Sequence, residues 1–217
     1  MFQKKRKLVI ATLLLLTLVC GIAVSVSADY TQDANGHLYG GEWDFTPSNL
    51  YWWSSPSVAS YGYADSVADA ISGWNSVPYP SPIINSASSE STANLKYYID
   101  EYVLPAGTAG IVDFWHVYGS TVENVSTQVP GTDQRYDIAT ITIDHARASG
   151  AAGFGPDFRS HLLGHETGHG LGLNHFYNPT AHTGSHWMNN CGTTGCITSP
   201  SSTDSAHLQA KFDPVLP

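Results

Sequence analysis

The chain has 217 residues, 42% hydrophobic and only 12% charged, a balance that builds a packed core and excludes an intrinsically disordered protein. Its net charge of −9 excludes a general nucleic-acid binder, which needs a basic face.

The first segment reads as a leader. "MFQKKRK" carries four positive charges, "LVIATLLLLTLVCGIAV" is apolar, and "SVSADY" follows. Val26 and Ala28 are small residues at the −3 and −1 positions of a cut after Ala28, so residues 1–28 are expected to be a secretory signal peptide. An uncleaved anchor is the alternative, because the apolar run is nearly long enough to span a bilayer. In either case the basic flank places the rest of the chain outside the cytoplasm, and with the leader cut the expected product is secreted and extracellular, with no stable membrane association. Without residues 1–28 the chain keeps 189 residues, enough for a single domain over 29–217, and the charge becomes −13. Cys20 leaves with the leader. Cys191 and Cys196, in "CGTTGC", are then expected to form a small-loop disulfide.

Along the rest of the chain, the end of "HLYGGEWDFTPSNLYWWSS" suits a strand. "SYGYADSVADAISGWNSV" places Val67, Ala68, Ile71 and Trp74 at helical spacing, and Pro78, Pro80 and Pro82 close that helix. "SPIINSASSESTAN" reads as a Ser-rich loop. "LKYYIDEYVL" and "AGIVDFWHVYG" read as strands, and "STVENVSTQVPGTDQ" as a surface excursion. "RYDIATITIDHA" alternates best, with Ile138, Thr140 and Thr142 on one face and Ala139, Ile141 and Ile143 on the other. After the Gly-rich "ASGAAGFGPD" a helix is expected from Phe158 to Leu171, with Asp157 as its N-cap. "FYNPTAHTGSHWMNN" reads as irregular, and "SSTDSAHLQAKF" as a closing helix with Asp204 near its start. Strands, one early helix and a later site helix make an α+β chain.

The chemistry concentrates in "HETGHGLGLNH", residues 165–175. Four helical residues turn the chain by about 400°, so His165 and His169 differ by only about 40° and face one ion. Glu166 is rotated by about 100° from His165 and lies beside that ion. His175 would stand about 9 Å farther along a continuing helix, so the backbone must reverse, and Gly172 is the residue that takes φ > 0 without a Cβ clash. His165, His169 and His175 are then the expected ligands of one catalytic Zn2+, whose open position takes a water. Glu166 is the expected base that takes a proton from that water for attack on a carbonyl. Activity should therefore collapse below about pH 5–6 as unligated imidazoles protonate.

These eleven residues resemble the extended zinc motif of the metzincin metalloendopeptidases at every specified position, and "SHLLGHETGHGLGL" is most similar to the matrixin-like branch. Met188 in "SHWMNN", thirteen residues after His175, resembles the methionine turn beneath the zinc of that clan. "SVADAISGW" resembles its first long helix, "TDSAHLQAKF" its last, and "YDIATITIDHA" the edge strand above its cleft. The resemblance is specific over 165–175 and looser elsewhere in 40–213. It implies a metzincin-like α+β fold: a mixed twisted sheet with an early helix and a zinc-site helix in an upper part, 29–172. A small irregular lower part, 173–217, would end in a helix. It further implies a zinc endopeptidase that binds a polypeptide in extended form, as an added strand against an edge such as 136–143; a monomer is the default expectation.

Several positions depart from that pattern or stay open. Phe176 matches none of the residues that name the clan's branches, and Asn190 stands where some branches have a zinc-contacting tyrosine. No cysteine follows Ala28 before the fold, so latency by a cysteine switch is not expected. Ca2+ would need oxygen ligands such as Asp133, Asp137, Asp144 and Asp157, for which solvated acidic surface is the alternative. His161 is expected to be a capping or buried hydrogen-bonding residue. His182 and His186 are either substrate contacts or loop histidines, and Phe176, Tyr177 and Trp187 line a pocket or fill the core of the lower part. Two other functions compete with the endopeptidase: a zinc-loaded but inactive secreted binding protein on the same scaffold, and a zinc amidase of small or cell-wall peptides.

Overall fold

The computed structural model describes residues 37–39, 41–44, 49–129, 134–176, 185–189, 191 and 195–213. The expected leader, Tyr177, His182 and Asn190 lie outside them. In chain order the elements are β1 (Glu42–Trp43), β2 (Asn49–Ser54), α1 (Pro56–Ser60), α2 (Ala64–Asn75), β3 (Ile83–Ser86), β4 (Leu95–Asp100), β5 (Gly110–Tyr118), β6 (Thr121–Asn124), β7 (Arg135–Tyr136), β8 (Ile138–Asp144), α3 (His145–Ser149), α4 (Pro156–Gly170) and α5 (Ser202–Phe212). The class is α+β, with a mixed six-stranded sheet in the order β3-β2-β4-β8-β5-β6. β3, β2, β4 and β8 run parallel, while β5 is antiparallel to both β8 and β6. Among the described residues no helix is long and apolar enough to cross a membrane.

The alternation read in β8 builds the core directly, because successive side chains of a strand point to opposite faces. Ala139, Ile141 and Ile143 are fully buried, together with Leu95 and Tyr97 of β4 and Leu50 of β2. α4 lies over this apolar face. Thr167 meets Tyr97 through hydroxyls 3.0 Å apart. A Cβ added to Gly170 would lie 3.3 Å from Leu95 and 3.5 Å from Ala139, so the helix end rests on the strands themselves.

α2 packs on another side of α4. A Cβ on Gly164 would collide with the Trp187 indole, and one on Gly168 would collide with Met188 Sδ. Glycine costs about 1 kcal/mol in a helix interior relative to alanine. Here the missing side chains let two large residues seat against the helix backbone. Trp74 of α2 donates from its indole to Gly164 O at 2.8 Å and tilts against Trp187, with ring centroids 5.1 Å apart.

Several expectations need correction. The stretch 81–94 is not all loop: Ile83–Ser86 forms an edge strand, because Ile84 is buried beside β2 and donates its N–H to Asn75. The excursion after Gly119 contains β6, held antiparallel to β5. "LKYYIDEYVL" stops being a strand at Asp100. α4 starts earlier than expected, with Gly155 as N-cap and Pro156 in the first turn, so Asp157 is no cap. The largest change concerns β8, which is no edge: β4 pairs one side of it and β5 the other.

The turn after α4 follows the chemistry expected of Gly172. Its φ is +95°, and Gly172 N–H donates to His169 O at 2.9 Å while Leu173 N–H donates to Gly168 O at 3.0 Å. This pair of bonds is the Schellman termination, which satisfies carbonyls that the helix would leave open. The reversed chain then meets residues 37–39, with Leu38 bridged antiparallel to Leu173 and Asn174 N–H donating to His37 O at 2.7 Å. Lys211 of α5 donates to Tyr39 O and Gly41 O, both at 2.7 Å, and its Cε would lie 2.7 Å from a Cβ on Gly172. Gly172→Ala should therefore destabilise the protein by roughly 1–3 kcal/mol, the cost of a strained left-handed position. Urea unfolding measures this, and an unchanged midpoint would contradict it.

Candidate metal centre

α4 is buried almost throughout its second half, and its third side carries the histidines. His165 and His169 project one turn apart, as the spacing requires, and the Gly172 reversal returns His175 to them. The three Nε2 atoms form a triangle: 3.0 Å from His165 to His175, 3.1 Å from His165 to His169, and 3.3 Å from His169 to His175. Three nitrogens at about 2.0–2.1 Å from a tetrahedral zinc stand about 3.3–3.4 Å apart. The triangle is slightly tighter than that and has the shape of one tetrahedral face.

The opposite ring nitrogens explain the orientation. His165 Nδ1–H donates to Trp187 O at 2.6 Å, and His169 Nδ1–H to Leu173 O at 2.8 Å. Tyr39 adds its hydroxyl oxygen 3.1 Å from His169 Nδ1 and stacks its ring on that imidazole. Protons held on Nδ1 leave Nε2 lone pairs pointing at one another, the arrangement in which histidine binds a metal. Burial, followed by the neighbouring imidazoles, holds His165 well below its ordinary pKa. The same two causes lower His169 to about 4, and burial lowers His175. These shifts favour the neutral rings that ligation requires. The donors therefore fit zinc.

Glu166 is buried beside them, and no described group donates a hydrogen bond to it. Burial alone pushes its carboxyl up to about 8. A Cβ on Gly110 would collide with this carboxyl, so the N-terminal end of β5 passes directly over it. Gly110, Glu166, His165 and His175 border a cleft of about 420 Å³, together with Leu162, Asn189 and Cys191.

Met188 is fully buried in the turn that supplies Trp187 O to His165, with its Sδ against Gly168. A residue that sequence reasoning placed only at a helix start holds this turn. Asp204 accepts N–H bonds from Trp187 at 3.0 Å, Met188 at 3.2 Å and Ser201 at 2.7 Å. The same carboxylate completes a capping box at the start of α5. His161 is hydrogen-bonded as expected, to Asn189 O at 2.9 Å and Ile197 O at 3.1 Å. The Cys191–Cys196 disulfide closes the loop between those two carbonyls.

Other residues settle elsewhere. His186 is buried and bonded to Ser201 Oγ at 2.8 Å, a core position. Phe176 and Trp187 are core residues too, Phe176 against His37 and His207. Asp144 is no calcium ligand: it is fully buried and its oxygens accept N–H bonds from Tyr102, Leu104 and Arg147. Asp157 is exposed in the first turn of α4, and Asp133 lies outside the described residues. Asp137 joins Asp44 and His116 in a second group of metal-ligating side chains.

No family model matches the chain, and no curated protein matches it. Among solved structures it is similar to one described as the GM1 bound form of the ECX AB5 holotoxin, at 13% identity and a TM-score of 0.45 over 83% of this chain and 90% of that one. At that distance the likeness assigns neither a fold family nor an activity.

The buried Glu166 yields a signed expectation for the metal-free protein. Its folded pKa of about 8 exceeds the ordinary 4.5, so folding favours the neutral acid. That contribution is complete below the ordinary value and is lost as pH rises through about 8. Glu166→Gln, which never ionises, should melt at least about 3 °C above the metal-free parent at pH 9, the shift that roughly 1 kcal/mol gives a domain of this size. At pH 4 the two should melt alike. A lower midpoint for the variant at pH 9 would contradict the burial argument.

Proposed function

We propose that the chain is a secreted, zinc-dependent endopeptidase of the metzincin type, with His165, His169 and His175 as the zinc ligands and Glu166 as the catalytic base. The observation that carries this reading is the triangle of lone pairs with an unpartnered buried carboxyl beside it, both open to one cleft. Zinc, when bound, supplies Lewis acidity and makes a water nucleophilic near neutral pH. Glu166 takes the proton of the attacking water on its carboxylate and returns it to the leaving amine. Its burial and lack of a competing donor suit that work, since a carboxyl tuned upward both accepts and releases a proton near neutrality.

The substrate strand adds to β5 rather than along 136–143, most of which is β8 inside the sheet. Ala109 O and Trp115 O accept from Asp144 and Asp137 on the β8 side. Backbone groups alternate along a strand, so Gly110 and Val112 turn theirs the other way. Among the described residues no strand pairs with them there, because β6 begins its pairing at Trp115. An extended peptide hydrogen-bonded to Gly110 and Val112 lies over Glu166 with its scissile carbonyl near the histidines. The lack of a side chain at Gly110 supports this, since it is what lets the edge approach the catalytic carboxyl. Export through the 1–28 leader agrees with the disulfide, which persists in oxidising compartments.

Two measurements test the reading together. A chelator should abolish cleavage of a broad peptide library, and added Zn2+ should restore it. Glu166→Ala should retain zinc on the three histidines while kcat/KM falls by roughly 10²–10⁴ or more, the contribution of a general base. A variant as active as the parent would remove Glu166 from the mechanism. A zinc-loaded parent that cleaves nothing would favour a binding protein on this scaffold.

A further inference from the structure

The second group of metal-ligating side chains lies at the far end of β5. His116 is six residues beyond Gly110, about 20 Å along an extended strand. Backbone pairing alone brings three residues together there. Asp137 N–H donates to Trp115 O at 2.8 Å, which sets Asp137 across from His116, and Asp44 N–H donates to Tyr136 O at 2.8 Å. Asp44 follows β1, and Asp137 joins β7 to β8.

The side chains then converge. His116 is 8% exposed, and its Nε2 stands 3.5 Å from Asp44 Oδ2 and 3.7 Å from Asp137 Oδ2. Charge-assisted N–H···O bonds run about 2.7–2.9 Å, so neither contact is a good hydrogen bond. Ligand atoms at about 2.0–2.2 Å from one zinc stand roughly 3.3–3.5 Å apart, close to what is seen. His116 Nδ1 is buried and meets no hydrogen-bond partner among the described residues, so no second bond explains the ring's placement. The Tyr118 ring covers the imidazole, with centroids 3.9 Å apart.

Charge points the same way. Arg135 binds Asp44 through Oδ1 at 3.0 Å, which leaves Oδ2 to the site. Val117 N–H donates to Asp137 Oδ2 at 2.7 Å and orients it. Glu123 stands across from His116 on β6 and adds a further negative charge nearby. Asp44 and Asp137 set two negative charges against the one guanidinium of Arg135, an excess that a cation beside the buried imidazole would offset. The imidazole selects a borderline transition metal over Ca2+ or Mg2+, which prefer all-oxygen ligands.

We propose that Asp44, His116 and Asp137 form a second, structural site for a divalent transition-metal cation, which clamps the N-terminal β1 segment onto the main sheet. It is independent of the catalytic reading, because it shares no residue with the three-histidine centre.

The test counts zinc in the full mature chain after loading with Zn2+ and dialysis against metal-free buffer. The parent should hold two equivalents, and His116→Ala and His165→Ala one each. Zinc should raise the melting temperature of His165→Ala, and should not raise that of the double variant His116→Ala, His165→Ala. If the parent holds one equivalent and His165→Ala none, this proposal is overturned and the three-histidine centre stands. If His165→Ala holds one and His116→Ala none, the proposal stands and the catalytic reading falls. Should His116→Ala fail to fold, the His165→Ala count decides alone.

Discussion

Three imidazole Nε2 atoms held within 3.3 Å of one another are the constraint on which the rest of this structure depends. His165 and His169, whose Nδ1 protons are spent on carbonyls, turn bare Nε2 lone pairs toward the third ring, a group that could hold a metal ion. The protein fixes the arrangement from behind, through Nδ1 protons given to Trp187 O and Leu173 O, so the metal-binding tautomer is built into the backbone. Each of those carbonyls belongs to a turn, and each turn is held by something else. The Trp187–Met188 turn hangs on the buried Asp204 carboxylate. The Leu173 turn hangs on Gly172, on the bridge to Leu38, and on the segment that Lys211 ties down.

This chain of support explains an otherwise costly helix. α4 carries Gly164, Gly168 and Gly170, each unfavourable for a helix in isolation. The first two let Trp187 and Met188 press against its backbone, and the third lets it rest on β4 and β8. Intrinsic propensity has been given up for close approach on two sides, which leaves the remaining side to the histidines and Glu166. The same economy of volume recurs at Gly110, where the sheet edge passes over the carboxyl. Chemistry, packing and access are thus set by where side chains are missing as much as by where they are present.

Much of this was legible in the sequence, and the parts that were not have physical reasons. The histidine spacing, the Gly172 reversal, the early helix and the core-facing alternation of β8 are local patterns, and each appears as read, except that Ala68 of the early helix is exposed and Ala70 is buried in its place. Met188 came through a family resemblance, and it is fully buried against Gly168 of α4. The errors concern partners rather than periodicity. Alternation identifies β8 as a strand but does not reveal whether it is flanked on one side or two, so its place inside the sheet was missed. β3 and β6 are short and lie in Ser- and Thr-containing stretches whose composition reads as loop; only their neighbours make them strands. Tyr39 lies 130 residues from His169, and Asp204 lies 16 from Met188 across residues of no regular pattern, so neither contact has a local signal. Asp144 read as a solvated acid or ligand, but it caps α3 from a buried position. Of the four aspartates considered for a cation, only Asp137 meets other ligand-type side chains among the described residues, and it does so through His116, which the sequence did not single out.

X-ray absorption at the zinc edge of His116→Ala protein loaded with one equivalent of Zn2+ tests the central claim most directly. The account predicts three imidazole nitrogens and one oxygen at about 2.0–2.1 Å, with no sulfur. A shell with two imidazoles or fewer, or with a sulfur scatterer at about 2.3 Å, would contradict it.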